Sequence, residues 1–205
     1  ACVVALLAGG REIKPRDPGE LAGQFLGALA TALVVSVIEE LLFRGAMFGT
    51  LRRAMRWPAA LAASSGVYAI THFMHRGETP ETVDWLSGLR VLPTMLAGMT
   101  DLRTLAPGFL SLTLAGVILG LAYQWTGDLS ASIGIHAGWI FWLKFYGFAT
   151  ASVEGTDPWF WGTRKLVDGW LAFVALVVVL SVVLVMQRRG ARGPAGTVDG
   201  RRLQG

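Results

Sequence analysis

One cysteine among 205 residues, Cys2, rules out an intramolecular disulfide. No CxxC pair and no Cys/His zinc spacing occurs, which excludes the usual structural-zinc domains. Asparagine is absent altogether. Charge is scarce: 16% of residues are Asp, Glu, Lys or Arg, against about 25% in an ordinary soluble domain. No Lys/Arg block with interleaved aromatics is present, so no nucleic-acid partner is expected. The alternating pattern of a membrane β-barrel is missing as well. What remains is apolar. Hydrophobic residues make up 53% of the chain and gather into long runs. The expected fold is all-α, a polytopic integral-membrane helical bundle whose solvent is the lipid bilayer. The net charge of +4 then bears on orientation.

The chain opens without Met inside "ACVVALLAGG", a stretch too short to span and lacking the basic flank of a signal peptide. Residues 1–20 therefore read as the end of an upstream apolar segment and a polar, Pro-containing loop, with further helices expected before it. About five spans are expected in residues 21–186, near 21–50, 58–74, 108–126, 129–147 and 167–186. Pro58 suits a first helical turn. The small residues of "PAALAASSGVYAITHFM" suit close helix packing in lipid. "TGD" joins the third and fourth spans as a hairpin. Residues 75–107, with Pro93 inside, read as an interfacial or re-entrant segment. Residues 148–166 read as a loop whose "WFW" suits the aromatic belt. Residues 187–205 form a Gly/Arg-rich tail expected to be disordered. Threading the spans puts Arg52, Arg53, Arg56 and the tail on one side. Basic residues flanking span ends mark the cytoplasmic side. The expectation is a multi-pass protein of the inner cell membrane with a cytoplasmic tail.

The longest apolar run is interrupted at "VVSVIEELLFRG", which carries Glu39, Glu40 and Arg44. A charge at a helix centre costs roughly 2.5–3.5 kcal/mol on insertion scales. Glu40 and Arg44 are i and i+4, with the acid N-terminal, so they share a face in the favourable order. Glu39 lies about 140° round the helix from Arg44. Glu40 can be neutralised within its own helix; Glu39 needs a partner elsewhere, or a proton. Burial without a counter-charge favours the neutral form of a carboxyl group, and this tunes carboxylates for acid–base work. Leu21–Ile38 is already long enough for a short span, which would leave both glutamates among the headgroups. Against that, "LLFRGAMFG" continues the apolar run as far as "LRRAMR".

Two of the three histidines, His72 and His136, fall inside expected spans. Singly, each reads as a packed, hydrogen-bonded core histidine. Jointly with Glu39 they occupy overlapping depths, roughly 10–21 Å from the Arg-rich ends at 1.5 Å per residue. Ionisable residues inside a membrane point to function. His75 makes an H-x-x-H pair with His72, but it stands beside Arg76 at the span end. HExxH is absent.

"EELLFR" (Glu39–Arg44) resembles the E-E-x-x-x-R motif of the CAAX protease and bacteriocin-processing intramembrane endopeptidases, the CPBP or Abi family, and in particular the type II CAAX prenyl endopeptidases. "YAITH" (Tyr68–His72) resembles its F-x-x-x-H motif with Tyr for Phe. "GVILGLAYQWTGDLSASIGIHA", ending just past His136, resembles its third block. The three together cover about residues 20–147. The resemblance implies that Glu39 activates a water, His72 positions or polarises it, and His136 stabilises the oxyanion. Glu40 and Arg44 would be the supporting pair. The implied partner is a membrane or membrane-associated peptide or protein substrate. The family often carries Asn four residues after the last His, as a second oxyanion donor; Ile140 stands there. No cofactor is favoured. Zn²⁺ held by Glu39, His72 and His136 is the alternative, and another base would then be needed. Two other classes fit intramembrane Glu and His: a catalytically impaired family member serving as an immunity or scaffold protein, and a proton-coupled transporter. The latter lacks a visible broken-helix repeat.

Overall fold

The computed structural model describes residues 2–74, 83–96, 102–163 and 166–190. Helix α1 (Cys2–Leu7) leads into a short strand, β1 (Arg11–Ile13). The first long helix, α2 (Pro18–Glu40), starts where composition dictates: Asp17 accepts a hydrogen bond from Gly19 N, and Pro18 occupies the first turn. It runs without a break into a π-helical segment (Leu41–Phe48) and then α3 (Gly49–Ala54). After Arg56 come α4 (Trp57–Phe73), α5 (Ser87–Leu96), α6 (Leu102–Thr126), α7 (Leu129–Ala149), β2 (Thr150–Ser152), α8 (Pro158–Trp161) and α9 (Trp170–Gly190). The α6–α7 turn uses Gly127 at φ +69°, a left-handed position that glycine adopts without penalty. Asp128 then caps α7 by accepting from Ser130 N.

The protein is an all-α integral-membrane bundle. Pro18–Ala54, Leu105–Thr126 and Trp170–Arg188 are each long and apolar enough to cross a membrane. α4 (17 residues) and α7 (21 residues) complete the up-and-down arrangement. At one end, Lys14 N donates to Ala149 O, Phe73 meets Phe109, and Asp168 approaches Gly108. At the other, Phe48, Ala60, Leu61 and Leu121 form an apolar core, against which Leu180 and Leu184 of α9 pack. Arg52, near the rings of Phe48 and Tyr123, lies at this second end.

Two contacts set the helix positions that matter for the site. α2 packs against α7, with Phe25 edge-on to Phe141 and Phe145 at 5.1 and 5.8 Å between centroids. α4 packs against α6 through small residues. A Cβ at Gly116 would lie 2.9 Å from Ser65 Cβ, and one at Gly120 would overlap Leu61. Ala60, Ser64, Ser65 and Ala69 are all buried on that face. Small side chains let backbones approach closely, the main source of helix adhesion in lipid.

Two stretches read as loops contain regular structure. β1 pairs antiparallel with β2, Glu12 opposite Ala151, so both the 11–20 and 148–166 segments carry a strand. Three residues are too few to display a period-two pattern. Arg11 is buried there and donates from Nε to Thr150 Oγ1 at 2.9 Å. The 148–166 segment also holds α8. The Pro93-containing segment includes α5. α9 extends to Gly190; the rest of the basic tail, 191–205, lies outside the described residues, as does His75.

Candidate active site

Glu39 and Glu40 close α2, immediately before the hydrogen-bond register widens to the π form. π segments inside helices recur at functional sites because they re-aim neighbouring side chains. Here the two adjacent carboxylates enter different environments.

Glu40 is fully buried. Its Oε1 accepts from Arg44 Nη1 at 2.8 Å and lies 2.8 Å from His136 Nδ1. An ionised carboxylate only accepts, so the His136 Nδ1 carries the hydrogen in that contact. Arg44, also buried, donates from Nη2 to Gly116 O at 3.1 Å. Its guanidinium sits 4.7 Å over the ring of Tyr68, which Phe43 meets edge-on at 5.1 Å. One cluster thus ties α2, the π segment, α4, α6 and α7 together. The i,i+4 spacing made the Glu40–Arg44 pair legible. The histidine and the α6 carbonyl on the same cluster had no signal in sequence, because only tertiary packing brings them there.

Glu39 faces the other way. Its Oε2 lies 3.7 Å from His72 Nε2 and 3.7 Å from His136 Nε2. Neither distance is a hydrogen bond, and Oε2 is buried without a direct partner. Glu39 and His72 side chains keep 24% and 30% exposure, whereas His136 keeps 6%, so this face is the accessible one. His72 Nδ1 lies 2.8 Å from the Tyr68 carbonyl. A carbonyl only accepts, so Nδ1 carries the hydrogen and Nε2 turns toward Glu39. His136 Nε2 lies 3.3 Å from the Tyr68 hydroxyl. Tyr68 contributes a hydroxyl and a backbone carbonyl to the site, yet in sequence it stood out only as a motif variant. Its place one turn before His72 on α4 was the available signal.

These groups line a cavity of about 510 Å³, within the range typical of ligand sites. Its walls come from α2, α4, α6, α7 and α9 and are almost wholly apolar, including Val35, Leu112, Trp139, Ile140, Leu171 and Val179. Ile140 therefore faces the same space as Glu39, one turn after His136. Ser111 Oγ, also on the wall, is buried without a partner. The arrangement offers a carboxylate and two imidazole nitrogens converging on an apolar cavity, with a buried ion pair behind them. It can take a proton from a small nucleophile and oppose a developing negative charge. Among the described residues, no group of three His, Cys, Asp or Glu side chains is placed to hold a metal ion. No step is routed through a metal.

Residues 21–142 match the protein family described as Type II CAAX prenyl endopeptidase Rce1-like. No curated protein and no solved structure gives a match.

Proposed function

The chain belongs to the type II CAAX prenyl endopeptidase Rce1-like family, and on that premise we propose that it is an integral-membrane endopeptidase working by glutamate-activated water. The observation that carries this reading is the placement of Glu39, whose Oε2 lies 3.7 Å from two imidazole nitrogens and whose side chain lines an apolar cavity. Glu39 takes a proton from water held between it and His72. The water oxygen attacks the peptide carbonyl, and negative charge develops on the carbonyl oxygen near His136. Collapse breaks the C–N bond, and the departing amine takes the proton from Glu39. Glu40 and Arg44 touch no substrate; they fix the His136 ring through Nδ1. General-base catalysis of this kind contributes ~10²–10⁴ in rate.

The cavity walls suit a peptide that carries or adjoins an apolar, membrane-embedded group. We place the end bearing Arg52, Arg53, Arg56 and Arg188 in the cytoplasm of a cell with an inner membrane, by the rule that basic residues flank cytoplasmic span ends. The test is a comparison of membrane and released peptides from cells carrying wild type or Glu39→Gln. Peptides that accumulate uncut only in the variant are expected. Identical peptide profiles would leave a non-catalytic membrane role as the reading.

A further inference from the structure

The hydrogen on the far side of the His136 ring belongs to Tyr68. Nδ1 of that ring donates to Glu40. In the neutral ring, Nε2 is then a lone pair, and a lone pair cannot stabilise an oxyanion. His136 serves that purpose only when it carries two protons. The Tyr68 hydroxyl, 3.3 Å from Nε2, donates without that condition. At 3.3 Å it is held loosely, since an unstrained hydroxyl bond is nearer about 2.8 Å. An anionic acceptor would outbid the imidazole, because charge-assisted hydrogen bonds are roughly twice as strong as neutral ones. The phenol is otherwise rigid: its ring is 3% exposed and clasped by Phe43, Arg44 and His72. Preorganised donors in dry surroundings are the effective kind. Ile140, on the same cavity wall one turn from His136, has no side-chain donor to offer.

We infer that the Tyr68 hydroxyl is an oxyanion donor of this site, filling on α4 the role that a donor at position 140 of α7 would fill. The inference rests on the endopeptidase reading above. In the chemical step the carbonyl π pair moves onto oxygen as the water oxygen bonds to carbon. Tyr68 O–H swings from His136 Nε2 to that oxygen and keeps its proton throughout. When the C–N bond breaks, the pair returns to the carbonyl and the phenol swings back.

The experiment compares wild type, Glu39→Gln, Tyr68→Phe, Ile140→Asn and the Tyr68→Phe/Ile140→Asn double variant. The probe is a quenched fluorescent peptide bearing a prenylated cysteine, with the purified full chain in detergent. Tyr68→Phe removes one oxygen and leaves every ring contact, and matched melting curves check that the fold persists. Losing one oxyanion donor costs ~10²–10³ in kcat, and that loss is expected with KM nearly unchanged. Ile140→Asn alone should alter turnover only modestly. Added to Tyr68→Phe, it should return about tenfold or more of the lost kcat, since a new donor then reaches an otherwise unserved oxyanion. Tyr68→Phe within about threefold of wild type would overturn the inference. So would a loss in Tyr68→Phe that Ile140→Asn cannot repair, which would mark the hydroxyl as a support for His136. If wild type and Glu39→Gln process the probe alike, the endopeptidase reading fails, and the role for Tyr68 falls with it.

Discussion

Glu39 and Glu40 are neighbours in sequence and opposites in surroundings. Glu40 is fully buried, faces Arg44 and His136 at 2.8 Å each, and belongs to a cluster that joins several helices. Glu39 retains 24% exposure, has no hydrogen bond on Oε2, and looks into a cavity. Two charges in the same low-dielectric region thus do different work. Glu40 is paired through Oε1 with Arg44 and His136, while its Oε2, like that of Glu39, is buried without a partner; on the proposed reading Glu40 holds the helices in register and Glu39 reacts. A buried polar group lacking a partner costs about 1–3 kcal/mol, and that cost falls on Oε2 of both glutamates; what sets Glu39 apart is its partial exposure and its place on the cavity wall.

The comparison breaks most visibly on the closed side. Arg44→Met leaves Glu40 buried beside a hydrocarbon chain. Removing one partner of a buried ion pair costs about 3–5 kcal/mol, a loss readable as a lowered unfolding midpoint in detergent. Adding Glu40→Gln to Arg44→Met should return part of it, because no buried charge then remains unpaired. Equal stability of wild type and Arg44→Met would mean that the Glu40 cluster does not hold the helices.

Asp128 supplies a smaller effect, remote from both glutamates. Its carboxyl is held below the ordinary value of 3.8, first by the Ser130 backbone N–H and next by the Ser130 hydroxyl. A depressed folded-state pKa stabilises above the ordinary value, and the stabilisation is lost as pH falls through the lowered one. The stability gap between wild type and Asp128→Ala should stay constant from neutrality down to 3.8 and close below it. A gap unchanged at lower pH would show that the ionised carboxylate is not what caps α7.

On the open side, chelation is expected to do least. Glu39, His72 and His136 converge there, and the proposed mechanism uses them without a metal. Turnover after exhaustive chelation should match that of untreated protein. A loss restored by Zn²⁺ would make Glu39 a ligand and leave the base to be found elsewhere.

Much of this was readable in the sequence, for reasons that differ by residue. The pairing of Glu40 with Arg44 follows from 3.6 residues per turn, a local rule. The close α4–α6 contact follows from the run of Ala, Ser and Gly on α4. The π register from Leu41 to Phe48 was not legible, because apolar residues populate every face there and no periodicity distinguishes the two registers. The β1–β2 ribbon was hidden for want of length, and because its strands lie 139 residues apart at Arg11 and Thr150. The contact between His136 and Glu40 spans 96 positions, and that between Tyr68 and His136 spans 68. Both depend on how α4 and α7 cross α2, which no local pattern encodes. Tyr68 stands in the sequence as Tyr for Phe in a motif; its hydroxyl acquires meaning only beside His136.

The central claim is that Glu39 reacts while Glu40 holds. It is tested most directly by measuring peptide turnover and thermal unfolding together on purified Glu39→Gln. Turnover should fall by ~10²-fold or more, the lower range for loss of a general base, while the unfolding midpoint stays at or above that of wild type. Undiminished turnover, or a drop in stability like that of Arg44→Met, would contradict it.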